Sequence, residues 1–323
     1  MYPWLEKPYE ALLQQYFSNT LHHALLLKSP YAIGADRLAQ DVAKSMLCQD
    51  KSSLVFCGKC KACKLMDGQV HPDFHELMSE KPTIGVDLIR QLIEKIQKTA
   101  QLSGSKVVVI NQIQMMTEAA SNAFLKTLEE PTPDTFIIIT TSQPDRLLPT
   151  IRSRCEQIAL AVPSYAQSVD FLQRQNVAPP SEQLLKVYGN SPLPYLDALK
   201  TDEMTYIKFK GDLQRFVTDD IGTSEFAEKY AGKESSVLDW LYHVIGDVMS
   251  TTLSAEHNND ENNDVLLCEA QLIELQDWVY KTMTPAKKKL LHQGINKTLL
   301  LKTVLEDFKQ GHLLAVNSQI KWE

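Results

Sequence analysis

Residues 25–39 read LLLKSPYAIGADRLA. The apolar run at Leu25–Leu27 suits a buried strand, Ser29–Pro30 turns the chain, and Gly34 precedes a helical pattern. Strand, glycine-ended loop and helix together make the layout of a phosphate-binding loop, whose backbone N–H groups face an anion at a helix start. Laying G-x-x-x-x-G-K-[ST] over the stretch puts Ser29 at the first glycine, Gly34 at the second, Ala35 at the lysine and Asp36 at the hydroxyl residue. Ala35 brings no positive charge to the outer phosphates. Asp36 sets a negative charge where a magnesium-ligating hydroxyl is required. The frame of a nucleotide site is kept and its essential groups are gone.

The surrounding chain extends the same frame. LHHALLL (21–27), KVVVINQI (106–113), TFIIITTS (135–142) and EQIALAV (156–162) have the near-continuous apolar character of strands buried on both faces. Helical patterns lie between them: GADRLAQDVAKSML, GVDLIRQLIEKIQKTAQL with Gly104 just past its end, and TEAASNAFLKTLEE with Thr117 as N-cap and Pro131 as stop. Strand alternating with helix predicts a parallel α/β sheet. After VVVI a working ATPase places Asp–Glu, to hold magnesium and orient water; here the pair is Asn111–Gln112, isosteric and uncharged. Two independent losses at the two halves of one site predict that hydrolysis is absent and that no productive ATP binding occurs.

Past Val162–Pro163 the strand signals stop. Residues 164–203 carry short helical patterns broken by APP (178–180) and GNSPLP (189–194), and from about 204 the pattern is helical throughout. The acidic SAEHNNDENND (254–264) reads as an exposed loop. The expected organisation is an α/β domain over 1–162, a small helical domain over 163–203 and a helical domain over 204–323. At 323 residues, several domains are the natural expectation.

With 44% hydrophobic and 23% charged residues the composition is that of a globular protein. No run approaches the ~18–20 apolar residues that span a bilayer, and MYPWLEKPYE lacks the apolar core of a leader, so a cytoplasmic protein without a membrane partner is expected. Residues 1–160 carry 17 basic and 17 acidic side chains, which puts the whole net charge of −7 in the C-terminal half. That balance offers no strong independent grip on nucleic acid.

Cys48, Cys57, Cys60 and Cys63 follow a C-x8-C-x2-C-x2-C spacing, with Gly58 helping the tight turn. Four thiolates at tetrahedral corners match a closed structural zinc site. An iron–sulfur cluster uses the same ligand set, and a reducing cytosol disfavours disulfides. His71 and His75, in HPDFH, are taken as structural or surface residues, because Pro72 prevents one helix from presenting both. Cys155 and Cys268 stand alone and read as small apolar side chains. Lys51, Lys59, Lys61 and Lys64 flank the knuckle, more simply as solvated charges than as phosphate contacts.

In LLPTIRSRCEQIAL, Ser153–Arg154–Cys155 falls where a short helix hands over to a strand. An arginine at the edge of a chain that binds ATP poorly can still serve a neighbouring subunit's ATP; a surface salt bridge is the plainer alternative. The CxxCxxC knuckle after an early helix, HPD, TEAASNAFLKTLEEP and LLPTIRSRC together resemble bacterial clamp-loader AAA+ subunits. The degenerate loop, the Asn–Gln pair and the C-terminal GINKTLLLKTVLEDF are similar to the delta-prime family of DNA polymerase III among them. The resemblance implies a zinc-bearing AAA+ (RecA-like) domain, a helical lid and a collar that joins a pentameric ring with motor subunits and a delta subunit. It also implies a subunit that hydrolyses no ATP, helps place a sliding clamp on primed DNA, and reaches an adjacent motor's ATP with Arg154. An ATP-responsive lid would carry an arginine near GNSPLP, where Leu193 or Pro194 stands instead. Two other classes compete. An active motor ATPase is opposed by Ala35, Asp36, Asn111 and Gln112, and a stand-alone zinc nucleic-acid-binding protein by the acidic C-terminal half.

Overall fold

A computed structural model of the chain describes residues 1–30, 32–77, 83–102, 104–200, 206–258, 269–290 and 294–311. The chain divides into two compact units, Met1–Tyr195 and Leu196–Glu323.

The first unit is built on five parallel strands: β1 Ala24–Lys28, β2 Phe74–Leu77, β3 Lys106–Ile110, β4 Thr135–Thr141 and β5 Glu156–Ala159, in the order β2-β3-β4-β1-β5. Among the described residues of this unit nine α-helices accompany them: α1 Glu6–Phe17, α2 Ala35–Leu47, α3 Lys61–Asp67, α4 Val86–Ile96, α5 Glu118–Glu129, α6 Pro149–Arg152, α7 Tyr165–Arg174, α8 Glu182–Val187 and α9 Pro192–Lys200, whose end runs into the second unit.

The apolar runs of β1, β3 and β4 are continuous because each of these strands feeds two cores; β5, an edge strand with Gln157 and Ala159 exposed, falls short of the burial on both faces expected for it. Side chains alternate across a strand, so Leu25, Leu27, Val107, Val109 and Ile138 pack against Leu12 and Leu13 of α1 and Leu38 and Val42 of α2. Leu26, Val108, Ile110, Ile137 and Ile139 face the other way, onto Ile89, Leu92 and Ile96 of α4 and Phe124 and Leu128 of α5. The expected parallel α/β sheet is therefore present.

One strand escaped the sequence reading, and one helix end is corrected. Strand β2 has no apolar run, because it is an edge strand whose His75 and Glu76 are only half buried; its place comes from pairing with β3, Phe74 opposite Val107. Helix α4 ends at Ile96, well short of Gly104. Its terminal carbonyls are met by a lysine from another element: Lys106 Nζ donates to Ile96 O at 2.7 Å and to Lys98 O at 2.8 Å. The chain beyond is pinned by Asp73, whose buried carboxylate accepts the N–H groups of Gln101 and Leu102 at 2.6 and 2.8 Å. The aspartate of HPD thus organises a loop, and buried His71 accepts the Asp73 N–H on its Nδ1 at 3.1 Å. At α5 the expectation holds, with Thr117 Oγ1 accepting from Ala120 N–H at 3.2 Å.

The second unit is helical among its described residues: α10 Tyr206–Val217, α11 Thr223–Lys229, α12 Glu234–Asn258, α13 Glu269–Trp278, a π-helical turn Val279–Met283, α14 Thr284–Lys289 and α15 Lys297–Gly311. The apolar faces near 237–253 and 296–308 supply this unit's own interior, including Val237, Leu241, Ile245, Leu301, Leu305 and Phe308. Helix α12 continues to Asn258, so the first five residues of the acidic segment are helical rather than loop; 259–264 and Cys268 lie outside the described residues. Among the described residues, no helix is long and apolar enough to cross a membrane.

Of the chain's described glycines, Gly34 is the most closely packed. Gly34 caps α2 with φ +86°, and a Cβ there would lie 2.5 Å from Tyr2 Cδ2. Gly34→Ala should therefore cost about 1–3 kcal/mol, part from the left-handed backbone and part from displacing the ring. Urea unfolding of Gly34→Ala, Tyr2→Ala and the double variant checks this. The double variant should recover the packing share and keep the backbone share.

Candidate functional site

The loop after β1 opens at the C-terminal edge of the sheet, and two of its carbonyls are met from within the chain. Trp4 Nε1 donates to Ile33 O at 2.9 Å, and Ser191 Oγ donates to Ala32 O at 2.7 Å. The Tyr2 ring, stacked on Trp4 at 5.1 Å between centroids and edge-on to Phe171, lies against Gly34. Leu193 packs on the same core and comes within 3.5 Å of the Gly34 Cβ position. An apolar side chain thus meets the loop where an ATP-responsive lid would bring an arginine. Ala35 is buried and Asp36 is exposed in the first turn of α2. There the helix dipole favours Asp36, while its charge repels a polyphosphate.

Across β4, Asn111 and Gln112 sit just past the end of β3. Asn111 Nδ2 donates to Glu76 Oε1 at 2.8 Å, and its Oδ1 accepts from Thr140 Oγ1 at 3.3 Å. Gln112, at φ 52°, donates its backbone N–H to the same Thr140 oxygen at 3.0 Å. Glu76 also accepts from Gln40 Nε2 of α2 at 3.0 Å. The amide at position 111 is therefore a working part. It donates to a carboxylate, which an aspartate at that place could not do. Glu76 escaped the sequence reading because the short polar edge strand that carries it left no apolar signal.

Ser153, Arg154 and Cys155 follow α6, with Cys155 buried in the α4–α5 core. Burial pushes the Cys155 thiol up to about 12, which makes it an inert space-filler. Arg154 donates from Nε to Glu129 Oε1 at 2.6 Å and from Nη1 to Thr150 O at 2.9 Å. In the free chain its guanidinium is held in an ion pair, the plainer arrangement foreseen for it.

The four cysteine sulfurs of the knuckle all lie within 4.8 Å of one another, and Cys48 Sγ is 3.9 Å from Cys60 Sγ. A tetrahedron with Zn–S near ~2.3 Å has edges of roughly 3.8 Å, so the cluster fits a zinc ion. Gly58 turns the knuckle with φ +68°. Backbone N–H groups point at the sulfurs: Cys57 Sγ accepts from Lys59 and Cys60, and Cys60 Sγ from Cys63. Burial opposes ionisation of Cys60, but these donors prevail and bring its thiol to about 6, whereas burial and the neighbouring sulfurs push Cys63 up to about 12. Lys51 is spent elsewhere, donating from Nζ to Met46 O at 2.7 Å. Lys59, Lys61 and Lys64 are exposed.

Two measurements check these sites. Asn111→Asp should cost about 1–3 kcal/mol at neutral pH by setting two carboxylates at hydrogen-bond distance, and most of that should return when Glu76→Gln is added; chemical denaturation reads both. At the knuckle, metal must displace protons from thiols such as Cys63. Zinc uptake should therefore release acid, and affinity should rise from about pH 5 to 8, measurable by competition with a coloured chelator.

Residues 4–164 match the family described as DNA polymerase III, delta subunit. The DNA polymerase III subunit delta' of Pseudomonas aeruginosa is 33% identical, covering 94% of this chain and 96% of that one. The Escherichia coli subunit of the same name is 41% identical over 54% of this chain, a match spanning about half, 53%, of that relative. A solved gamma subunit-related protein of Thermotoga maritima superposes with a TM-score of 0.43 at 16% identity, covering 94% of this chain and 99% of that one. Because the Pseudomonas match runs nearly the full length of both chains, this protein belongs to the family of DNA polymerase III delta-prime subunits.

Proposed function

We propose that the chain is the non-catalytic member of a clamp-loader assembly, and that it lends Arg154 to the ATP of an adjacent motor subunit. The supporting observation is the state of the nucleotide frame. Tyr2 and Leu193 pack on Gly34, Ala35 and Asp36 replace the phosphate and magnesium contacts, and Asn111 is bonded to Glu76. Just before β5, at the opposite end of the sheet from that frame, an arginine stands about one-third exposed. A guanidinium supplied in trans stabilises the charge that develops on a transferring phosphoryl group.

In this proposal residues 1–162 form the AAA+ domain with its zinc module (48–63), 163–203 the lid and 204–323 the collar. The collar joins motor subunits and a delta subunit in a pentameric ring in the cytoplasm, which opens a sliding clamp and sets it on primed DNA. Zinc at Cys48, Cys57, Cys60 and Cys63 is structural: four protein ligands close its shell and leave no position for chemistry.

The purified chain should show no ATP turnover. In the reconstituted assembly, Arg154→Ala should fold normally, with an unchanged melting profile, and lower turnover by about tenfold or more, below the ~10³–10⁵ of a lone finger because other subunits retain theirs. Unaltered turnover would remove the trans role. Tight, steeply salt-dependent DNA binding by the chain alone would favour the zinc nucleic-acid module instead.

A further inference from the structure

The guanidinium of Arg154 is engaged on two sides. Nε donates to Glu129 Oε1 at 2.6 Å, and Nη2 meets the same oxygen. On the far side Nη1 donates to Thr150 O at 2.9 Å and lies 3.4 Å from Ser153 Oγ. Glu129 is the last residue of α5, so the cation also sits at a helix C-terminus, where the backbone carbonyls favour it.

Building on the trans role proposed above, we infer that Glu129 is the positioning residue of Arg154, a carboxylate clasp that is exchanged for a phosphate on assembly. Three features carry the inference. Both donors converge on one carboxylate oxygen, so the pair lacks the two-oxygen fork that makes arginine–carboxylate contacts strong. The side chains are 32% and 45% exposed, so water and salt screen the attraction. The Thr150 carbonyl holds Nη1 independently of the carboxylate, which lets the Nε–Nη2 edge turn outward while the arginine stays anchored. A terminal phosphate offers more charge and two oxygens to that edge. It therefore displaces Glu129 without any rearrangement of the backbone.

The clasp competes with the neighbour's nucleotide, so weakening it should tighten apparent ATP affinity. Glu129→Gln keeps the shape and an acceptor oxygen but removes the charge. In the full reconstituted assembly it should lower the half-saturating ATP concentration by about 2–5-fold, with a smaller change in turnover at saturation. The variant should have no further effect on top of Arg154→Ala. In the isolated chain the Arg154 Nε–H signal, followed by ¹⁵N NMR, should exchange with solvent faster in Glu129→Gln than in the parent. If half-saturation is unchanged while Arg154→Ala still slows the assembly, the clasp is wrong and the finger stands. An effect of Glu129→Gln that persists without Arg154, or an Nε–H indifferent to it, also overturns the clasp. Should Arg154→Ala leave turnover unaltered, both roles fall together.

Discussion

The C-terminal edge of a parallel sheet presents a row of loop N–H and C=O groups that must find partners, and a bound nucleotide is one way to supply them. In this chain the partners are internal. Trp4 and Ser191 take the carbonyls of Ile33 and Ala32, and the Tyr2 ring lies on Gly34. The Glu76 carboxylate is shared between Gln40 and Asn111, and Thr140 joins Asn111 to the Gln112 backbone. Unmet buried polar groups cost about 1–3 kcal/mol each. These internal bonds stabilise the edge without drawing on a ligand for the groups they join.

The four-cysteine knuckle answers a different physical problem. Residues 48–63 contain few side chains able to form a core; Val55 is over half exposed and Cys63 is fully buried. A four-thiolate metal site can contribute on the order of 10–16 kcal/mol of folding energy in a small module. That is enough to fix a segment that the hydrophobic effect alone would leave loose.

Much of this was legible in the chain because the signals are local. Continuous apolar runs marked β1, β3, β4 and β5, the cysteine spacing marked the knuckle, and Thr117 marked the start of α5. What escaped reading depends on contacts between distant residues. Strand β2 is defined by its partner β3, the end of α4 by Lys106 ten residues on, and the setting of Arg154 by Glu129 twenty-five residues earlier. Tyr2 looked like part of an unremarkable N-terminus until folding laid it on Gly34. The acidic stretch at 254–264 misled because polarity marks exposure and says little about helicity; Ser254–Asn258 is exposed-type sequence in helical form.

The losses at the nucleotide frame are physically coupled, which explains why they occur together. Once Glu76 is seated against position 111, an aspartate there meets a like charge, and the amide becomes the favourable side chain. Once Tyr2 occupies the space above Gly34, a long lysine at position 35 gains no phosphate to neutralise and would have to find room in a buried position, where Ala35 fits. Asp36 adds dipole stabilisation to α2 that a serine or threonine would supply less well. Arg154 lies outside this coupled set, anchored by Thr150 and Glu129 rather than by the loop. Its setting is therefore independent of that loop, as the phosphate-directed role proposed for it requires.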